Sequence, residues 1–523
     1  MRICTTHSPA DRKHFLRLLA ALALLAFAAA APGFGQEAAP DSETDDSFFD
    51  GWFIEAEPVE PDDASARDVY GDSVFGEDPF GDDIFGTEEE MVEATEETGA
   101  IRDAFLQTEG VSIGGTFSGT LDLNATWTDP WNGEAKPFDP DRYGLSPGAG
   151  ASLGFSAKPA TDLGFYGEVR TSYPFVKTIN GVTVPDISVF KLYSKFSMND
   201  AVFFTFGKQP LKWGKGYFFA PANDLLSLSA VDFDDPEAER EGPLSLRMNV
   251  PVPGILASAS LIMVFGGTRP KDTVLAPKFE IAFPGVELSA AAYYRYDDPP
   301  KLIAGASIVK DELSLFGEGL VSFGSERIFI EPDGNTVKLA ERPDDLFFTG
   351  TAGLVYRKSW EKKLELLVAG QYIYDGEGQP NISLTEARQG FLLRLGETPT
   401  EQLMKLAELT ADPVQLASAV APFGSRLGRH YGALSLNAGK IAGSDVSFSV
   451  FALANLADLS GMVKPQITWQ VFDRLSVSLW SIVSFGGEGD EYTNMSGIFG
   501  ALSGNTAPVI QAGIGFSLGS GSF

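Results

Sequence analysis

From residue 510 to 518, large or apolar positions alternate with small or polar ones. Ile510, Ala512, Ile514, Phe516 and Leu518 form one set, and Gln511, Gly513, Gly515 and Ser517 the other. Successive side chains of a β-strand point to opposite faces, so this segment has one apolar face and one nearly bare, polar face. The same alternation recurs from Val111 onward. In 286–297, Leu288, Ala290, Ala292, Tyr294 and Tyr296 oppose Glu287, Ser289 and Arg295. In 461–472, Val463, Pro465, Ile467, Trp469 and Val471 oppose Lys464, Gln466, Thr468 and Gln470. About eighteen such runs fit between residues 111 and 523.

The connections set the class. Tight ones with turn chemistry fall at 159–161, 199–200, 253–254, 284–285, 311, 360–361, 443–444 and 473–474. Longer ones, at 128–147, 214–242, 325–345, 375–430 and 486–506, come between them, with shorter exceptions after Asp297 and Asp458. Short and long connections alternating over an even strand count predict an all-β fold: a transmembrane, up-and-down antiparallel barrel with its short turns in the periplasm. Tyr293, Tyr294, Tyr296, Tyr372, Tyr374, Trp127 and Trp131 cluster near strand ends, where amphipathic rings would form interface girdles. No repeat of fixed length accompanies the hairpin rhythm, which argues against a propeller or β-helix. One long connection is helix-like. Thr398-Pro399-Thr400-Glu401 carries an N-cap, a proline at the first helical position and a glutamate at the third, and Asp412-Pro413 repeats the signal. Two short helices are expected there.

Composition divides what precedes the barrel. Arg2, Arg12, Lys13 and Arg17 precede an apolar run from 18 to 31, which reads as a signal peptide over residues 1–35, cleaved near Pro32 or Gln36. Residues 36–110 hold 25 acidic residues against 2 basic ones, most of the net charge of −32. That segment lacks a sustained apolar period and cannot bury enough surface to offset its ordering entropy, so a disordered periplasmic tail is expected. Phe75-Gly76, Phe80-Gly81 and Phe85-Gly86 recur within it every five residues. They are either a plain spacer or a short motif that docks on a periplasmic partner or on the barrel mouth.

Catalytic material is scarce. Cys4 is the only cysteine, and His430 is the only histidine outside the signal. A Ser-His site or a metal centre therefore has almost no ligands, and neither enzyme activity, metal nor cofactor is expected. Gly150-Ala151-Ser152-Leu153-Gly154 matches G-x-S-x-G but lies within an alternating strand, not at a strand-to-helix elbow. No basic cluster suggests nucleic acid.

The most specific segment runs Gly207-Lys208-Gln209-Pro210-Leu211-Lys212-Trp213-Gly214-Lys215-Gly216, followed by Phe219-Ala220-Pro221-Ala222-Asn223. It resembles the G-[RK]-Q-x-x-x-W-G-x-G and F-x-P-x-[ND] segment of several outer-membrane porin and carbohydrate-export barrels. An amphipathic last strand before the aromatic Phe523 resembles the C-terminal signal of such barrels. These resemblances imply an outer-membrane location, contact with outer-membrane lipid and the barrel-assembly machinery, and passage of small hydrophilic solutes. Pro210 predicts a bulge in a strand reaching Trp213.

On the inferred lumen face, neighbouring strands gather Arg170, Lys191, Lys195, Lys208, Lys212 and Arg247, with Phe190, Leu192 and Phe196 facing lipid. The loop that follows carries Asp232, Asp234, Asp235, Glu237, Glu239 and Glu241. An acidic loop folded against a basic wall resembles the constriction of general porins, and such charges control permeation. Otherwise the loop lies outside and the two sets are solvated independently. The expected function is a porin passing solutes by diffusion. The alternatives are a channel specific for sugars or acidic oligosaccharides, suggested by Tyr166 and Tyr193, and a plugged adhesin or structural barrel.

Overall fold

The structure, a computed structural model, describes residues 111–127, 142–160, 162–179, 182–199, 201–333, 336–360, 364–378, 428–487, 490–492 and 510–522, with a few positions between 396 and 405. The expected signal peptide, acidic tail and terminal Phe523 lie outside them, as does most of the helix-like connection.

Eighteen strands form one sheet. In chain order they begin with β1 (Val111–Trp127), β2 (Tyr143–Ala160), β3 (Leu163–Ile179), β4 (Val182–Met198), β5 (Val202–Lys208) and β6 (Leu244–Val252). β7 (Ala257–Phe265), β8 (Thr273–Phe283), β9 (Val286–Tyr293), β10 (Lys301–Lys310) and β11 (Leu313–Phe323) follow. A separate hairpin, β12 (Ile328–Asp333) and β13 (Thr336–Glu341), interrupts the series. The wall resumes with β14 (Leu346–Trp360), β15 (Leu364–Asp375), β16 (His430–Gly439), β17 (Val446–Asn455), β18 (Ser460–Phe472), β19 (Leu475–Phe485) and β20 (Ile510–Ser522). Each wall strand pairs antiparallel with its neighbours in sequence. β20 closes on β1, with Leu123 opposite Ile514 and Asn124 opposite Gly513. Closure leaves no free sheet edge, the arrangement a membrane requires because lipid offers no hydrogen-bond partners.

The alternation sets the two faces. Ile514 stands opposite Leu123 and Leu479, and Leu479 opposite Ile467; all four are exposed on the outside of the wall. The intervening Gly513 and Gly515 are covered on the inside. An exposed row of large apolar side chains around a closed sheet is suited to hydrocarbon rather than water.

Several expectations need correction. β5 ends at Lys208, so Pro210, Lys212 and Trp213 lie beyond the strand, and no strand bulge forms at Pro210. A bulge falls instead on β4. Glu168 pairs with Lys191 and Val169 with Val189, which leaves Phe190 as the extra residue. Two successive side chains then lie inside the wall. Phe190 is buried, with the Arg170 guanidinium 3.3 Å from its ring centroid, and does not face lipid. Tyr293 is also buried inside, its hydroxyl donating to Asp298 at 3.1 Å, so it belongs to no girdle. Tyr372 and Tyr296 are exposed. The β3–β4 ladder is irregular from Thr171 to Val176 and then resumes as far as Ile179 opposite Val182. Of the helix-like connection, the described part shows Thr398 and Glu401 exchanging backbone and side-chain hydrogen bonds, the reciprocal capping anticipated there.

Candidate functional site: a loop seated in the lumen

The connection from β5 to β6, residues 209–243, leaves the wall partway along β4 and crosses the barrel interior. Its own sequence shapes the departure. Asn223 Oδ1 accepts the N–H groups of both Trp213 and Gly214 at 2.6 Å, closing a tight turn around the buried indole. Gly214 lies against the Glu318 carboxylate and Gly216 against the carbonyl of Phe219, and neither place has room for a Cβ. Pro221 opens a short helix, α1 (Pro221–Leu226), where its missing N–H costs nothing.

Two side chains from the wall hold this backbone. Glu318, buried on β11, accepts from the Lys215 and Ala222 N–H groups at 2.8 Å each. Gln371, buried on β15, accepts through Oε1 from the N–H groups of Tyr217, Phe218 and Phe219 at 3.1, 2.6 and 3.1 Å. Its amide donates to the Phe219 carbonyl at 2.6 Å and to Thr351 Oγ1 at 2.5 Å. A loop inside a barrel has no ladder to satisfy its backbone, and these two residues supply what a strand neighbour would.

Apolar contacts complete the seat. Leu211, Trp213, Ala222 and Leu226 pack on Ile262, Val264, Val274, Ala276, Ile303 and Leu320 of the inner wall. Phe218 and Phe219 pack on the inner faces of β14 to β17, and Phe233 stacks on Phe451 with centroids 5.3 Å apart. Each fully buried aromatic side chain contributes about 2–3 kcal/mol.

The acidic residues meet wall bases over a wide arc. Glu239 pairs with Lys191 of β4 at 2.7 Å, and Asp234 pairs with Lys464 of β18 at 2.6 Å. Glu237 pairs with Arg357 of β14, and Glu241 with Lys208. Asp232 and Asp235 are exposed; Asp232 accepts the Asp234 N–H at 2.9 Å. The Tyr217 hydroxyl, on the same loop, is raised above the usual phenol range by burial and by the nearby Glu237 carboxylate.

Of the six bases anticipated, Lys191 is buried between Glu239 and Glu168. Arg170 pairs with Glu168, and Lys195 stands over the stacked rings of Tyr166 and Tyr193, 5.2 and 5.6 Å from their centroids. Arg247 is opposite Thr205 and the buried Ile262, on the inner row. Lys208 stands apart. Its register partners Leu192 and Leu244 are 52% and 48% exposed on the outer row. Its ammonium caps the Val189 carbonyl at 2.6 Å where β5 leaves the wall. Lys212 is exposed on the loop itself.

Sequence reading missed a second charged cluster. Lys215 reaches Glu287 and lies 3.6 Å from Glu280, which pairs with Lys278 at 2.6 Å. Glu318 and Gln371 were missed as well. The inward parity of Glu287 was legible, but nothing local to these strands announces that a loop more than fifty residues away would land on them.

No family model and no curated protein matches the sequence. Solved structures do resemble the chain in outline. Pseudomonas aeruginosa OccK8 (OprE) has 10% identity and a TM-score of 0.42, covering 79% of this chain and 98% of its own. Acinetobacter baumannii OccAB3 has 7% identity and a TM-score of 0.41, covering 79% and 99%. The outer membrane channel DcaP of Acinetobacter baumannii has 11% identity and a TM-score of 0.38, covering 80% and 99%. At such values these likenesses add nothing to what the strand pairing itself establishes.

Beyond the wall, on the side of the long connections, Arg295 joins Asp298 at 2.5 Å and Glu326 at 3.7 Å. The Glu326 carboxyl is raised to about 7 by partial burial and by its hydrogen bond to, and charge repulsion from, Asp298. The folded state therefore holds this proton where the unfolded chain has lost it. The contact is favoured below the ordinary carboxyl range and loosens as pH rises through about 7. Hydrogen exchange of 294–300, corrected for its intrinsic pH dependence, should accelerate as pH rises from the ordinary carboxyl value of 4.5 to about 7 and level off above it, and Glu326→Gln should flatten the dependence.

Proposed function

We propose that this chain is an outer-membrane porin, passing small hydrophilic solutes by diffusion past a loop seated in its lumen. The observation that carries the reading is the path of residues 209–243. They run inside the wall and pair Glu239 with Lys191, Glu237 with Arg357 and Asp234 with Lys464. An outer apolar row and an inner polar row support a membrane setting with a wet interior. Acids and bases concentrated where the loop narrows the lumen act on permeating ions, because screening is incomplete within the Debye length of about 8 Å.

Planar-bilayer recording tests this. Purified protein should form discrete, ohmic channels. Asp234→Lys with Asp235→Lys adds four positive charge units near the path and should shift the permeability ratio toward anions by about threefold. Lys208→Glu should act much more weakly, since that side chain lies at the wall seam. A folded barrel with no conductance would favour the plugged alternative, and unchanged selectivity in the double variant would remove the loop from the permeation path.

A further inference from the structure

Four neighbouring strands, β18, β19, β20 and β1, carry one row of inner positions beside the loop. Gln466 on β18 faces Trp480 on β19, Trp480 faces Gly513 on β20, and Gly513 faces Asn124 on β1. Trp480 is inward because its neighbour Leu479 belongs to the exposed outer row. Its indole lies over Gly513, so close that a Cβ there would meet ring atoms at 2.6 and 2.8 Å. Glycine at 513 thus lets the ring lie down along the wall instead of standing into the lumen. Asn124 lies over Gly144 in the same manner.

The surroundings are hydroxyls and amides. Gln466 donates to Thr468 Oγ1 at 3.1 Å, and Thr468 faces Ser478 in the next row. That row also holds Asp122, opposite Gly515, a carboxylate able to accept from hydroxyls. Lys464, two residues from Gln466 along β18 or about 7 Å, is occupied by Asp234 at the loop's tip. The row is therefore beside the loop, and its nearest base is already neutralised.

We propose that Trp480, flanked by Gln466 and Asn124, is a subsite for uncharged saccharides on the lumen wall. The inference rests on the porin reading and names a solute class for it. A pyranose has an apolar C–H face and an equatorial rim of hydroxyls. A flat indole matches the first, and amides on either side, each both donor and acceptor, match the second. Neighbouring strands are about 4.8 Å apart, so the row from Gln466 to Asn124 spans roughly 14 Å, the reach of a disaccharide. Anionic solutes gain little there, since the adjacent lysine already has its counter-ion.

The test is titration of maltose and of sucrose into the intact barrel, read as single-channel block and as calorimetric binding. Wild type should show saturable block. Trp480→Ala should weaken it about tenfold or more, Trp480→Phe should retain part of it, and Gln466→Ala should weaken it without loss of conductance. Conducting channels with no saturable block would overturn the subsite. So would block unchanged in both Trp480→Ala and Gln466→Ala; should Trp480→Ala not fold, Gln466→Ala decides. Calorimetry separates the two readings: Trp480-dependent sugar binding to a barrel that does not conduct would overturn the porin reading and keep the subsite.

Discussion

Replacing Ile514 with arginine should abolish stable insertion, while replacing Ser517, three residues on, should leave the barrel intact. Ile514 belongs to an outer row with Leu123, Leu479 and Ile467, all exposed where lipid would lie. An arginine at such a position costs about 2–4 kcal/mol near the bilayer midplane, and the lost isoleucine contact with lipid adds to it. Ser517 is on the opposite face, between Thr120 and Ser476, where a guanidinium meets water and polar side chains. Domain stabilities are themselves only about 5–15 kcal/mol, so the first change removes a large share and the second almost none. Heat-modifiable mobility on a gel measures the outcome. Equal folded yields for both variants would refute the face assignment, and loss of both would point to the strand's closure rather than its face.

The second large effect is expected at Gln371. Its side chain makes five hydrogen bonds, four of them to the backbone of Tyr217, Phe218 and Phe219. Leucine has nearly the same volume and none of that capacity. Gln371→Leu would strand three donors and an acceptor in a buried place, each costing about 1–3 kcal/mol. Even with partial relaxation this exceeds the roughly 2–3 kcal/mol held by either Phe218 or Phe219 in its apolar seat. The inner bend of the loop should therefore detach, giving larger, noisier conductance and cleavage by protease within 209–243, with the wall still folded. A quiet channel of unchanged conductance would show that the apolar seat alone suffices.

How much was legible follows from range. The eighteen wall strands were each marked by a period-two pattern, because lipid on one side and water on the other impose opposite demands on adjacent residues. Exceptions arose where an event of one residue changed parity. The extra Phe190 on β4 placed two successive side chains inward, and β5 stopped at Lys208, short of the Trp213 that the sequence pattern suggested. The hairpin of β12 and β13 lies within what read as a loop and pairs apart from the wall sheet.

The acidic loop and the bases were visible as two groups of opposite sign, but their pairing was not. Lys464 and Arg357 lie more than one hundred residues from the acids they meet, and Lys208 turned out to belong to the seam. By itself the chain's alternation determined a barrel wall, its two faces, its count of strands and the presence of an acidic connection after Trp213. Only the tertiary structure decided that this connection runs inside, that Glu318 and Gln371 hold it, and that Gln466, Trp480, Gly513 and Asn124 share one row. The reason is physical: strand periodicity is a local response to two solvents and is written residue by residue. The landing place of a loop, and the residues brought level by register, depend on closing the whole circle of strands, which no single segment encodes.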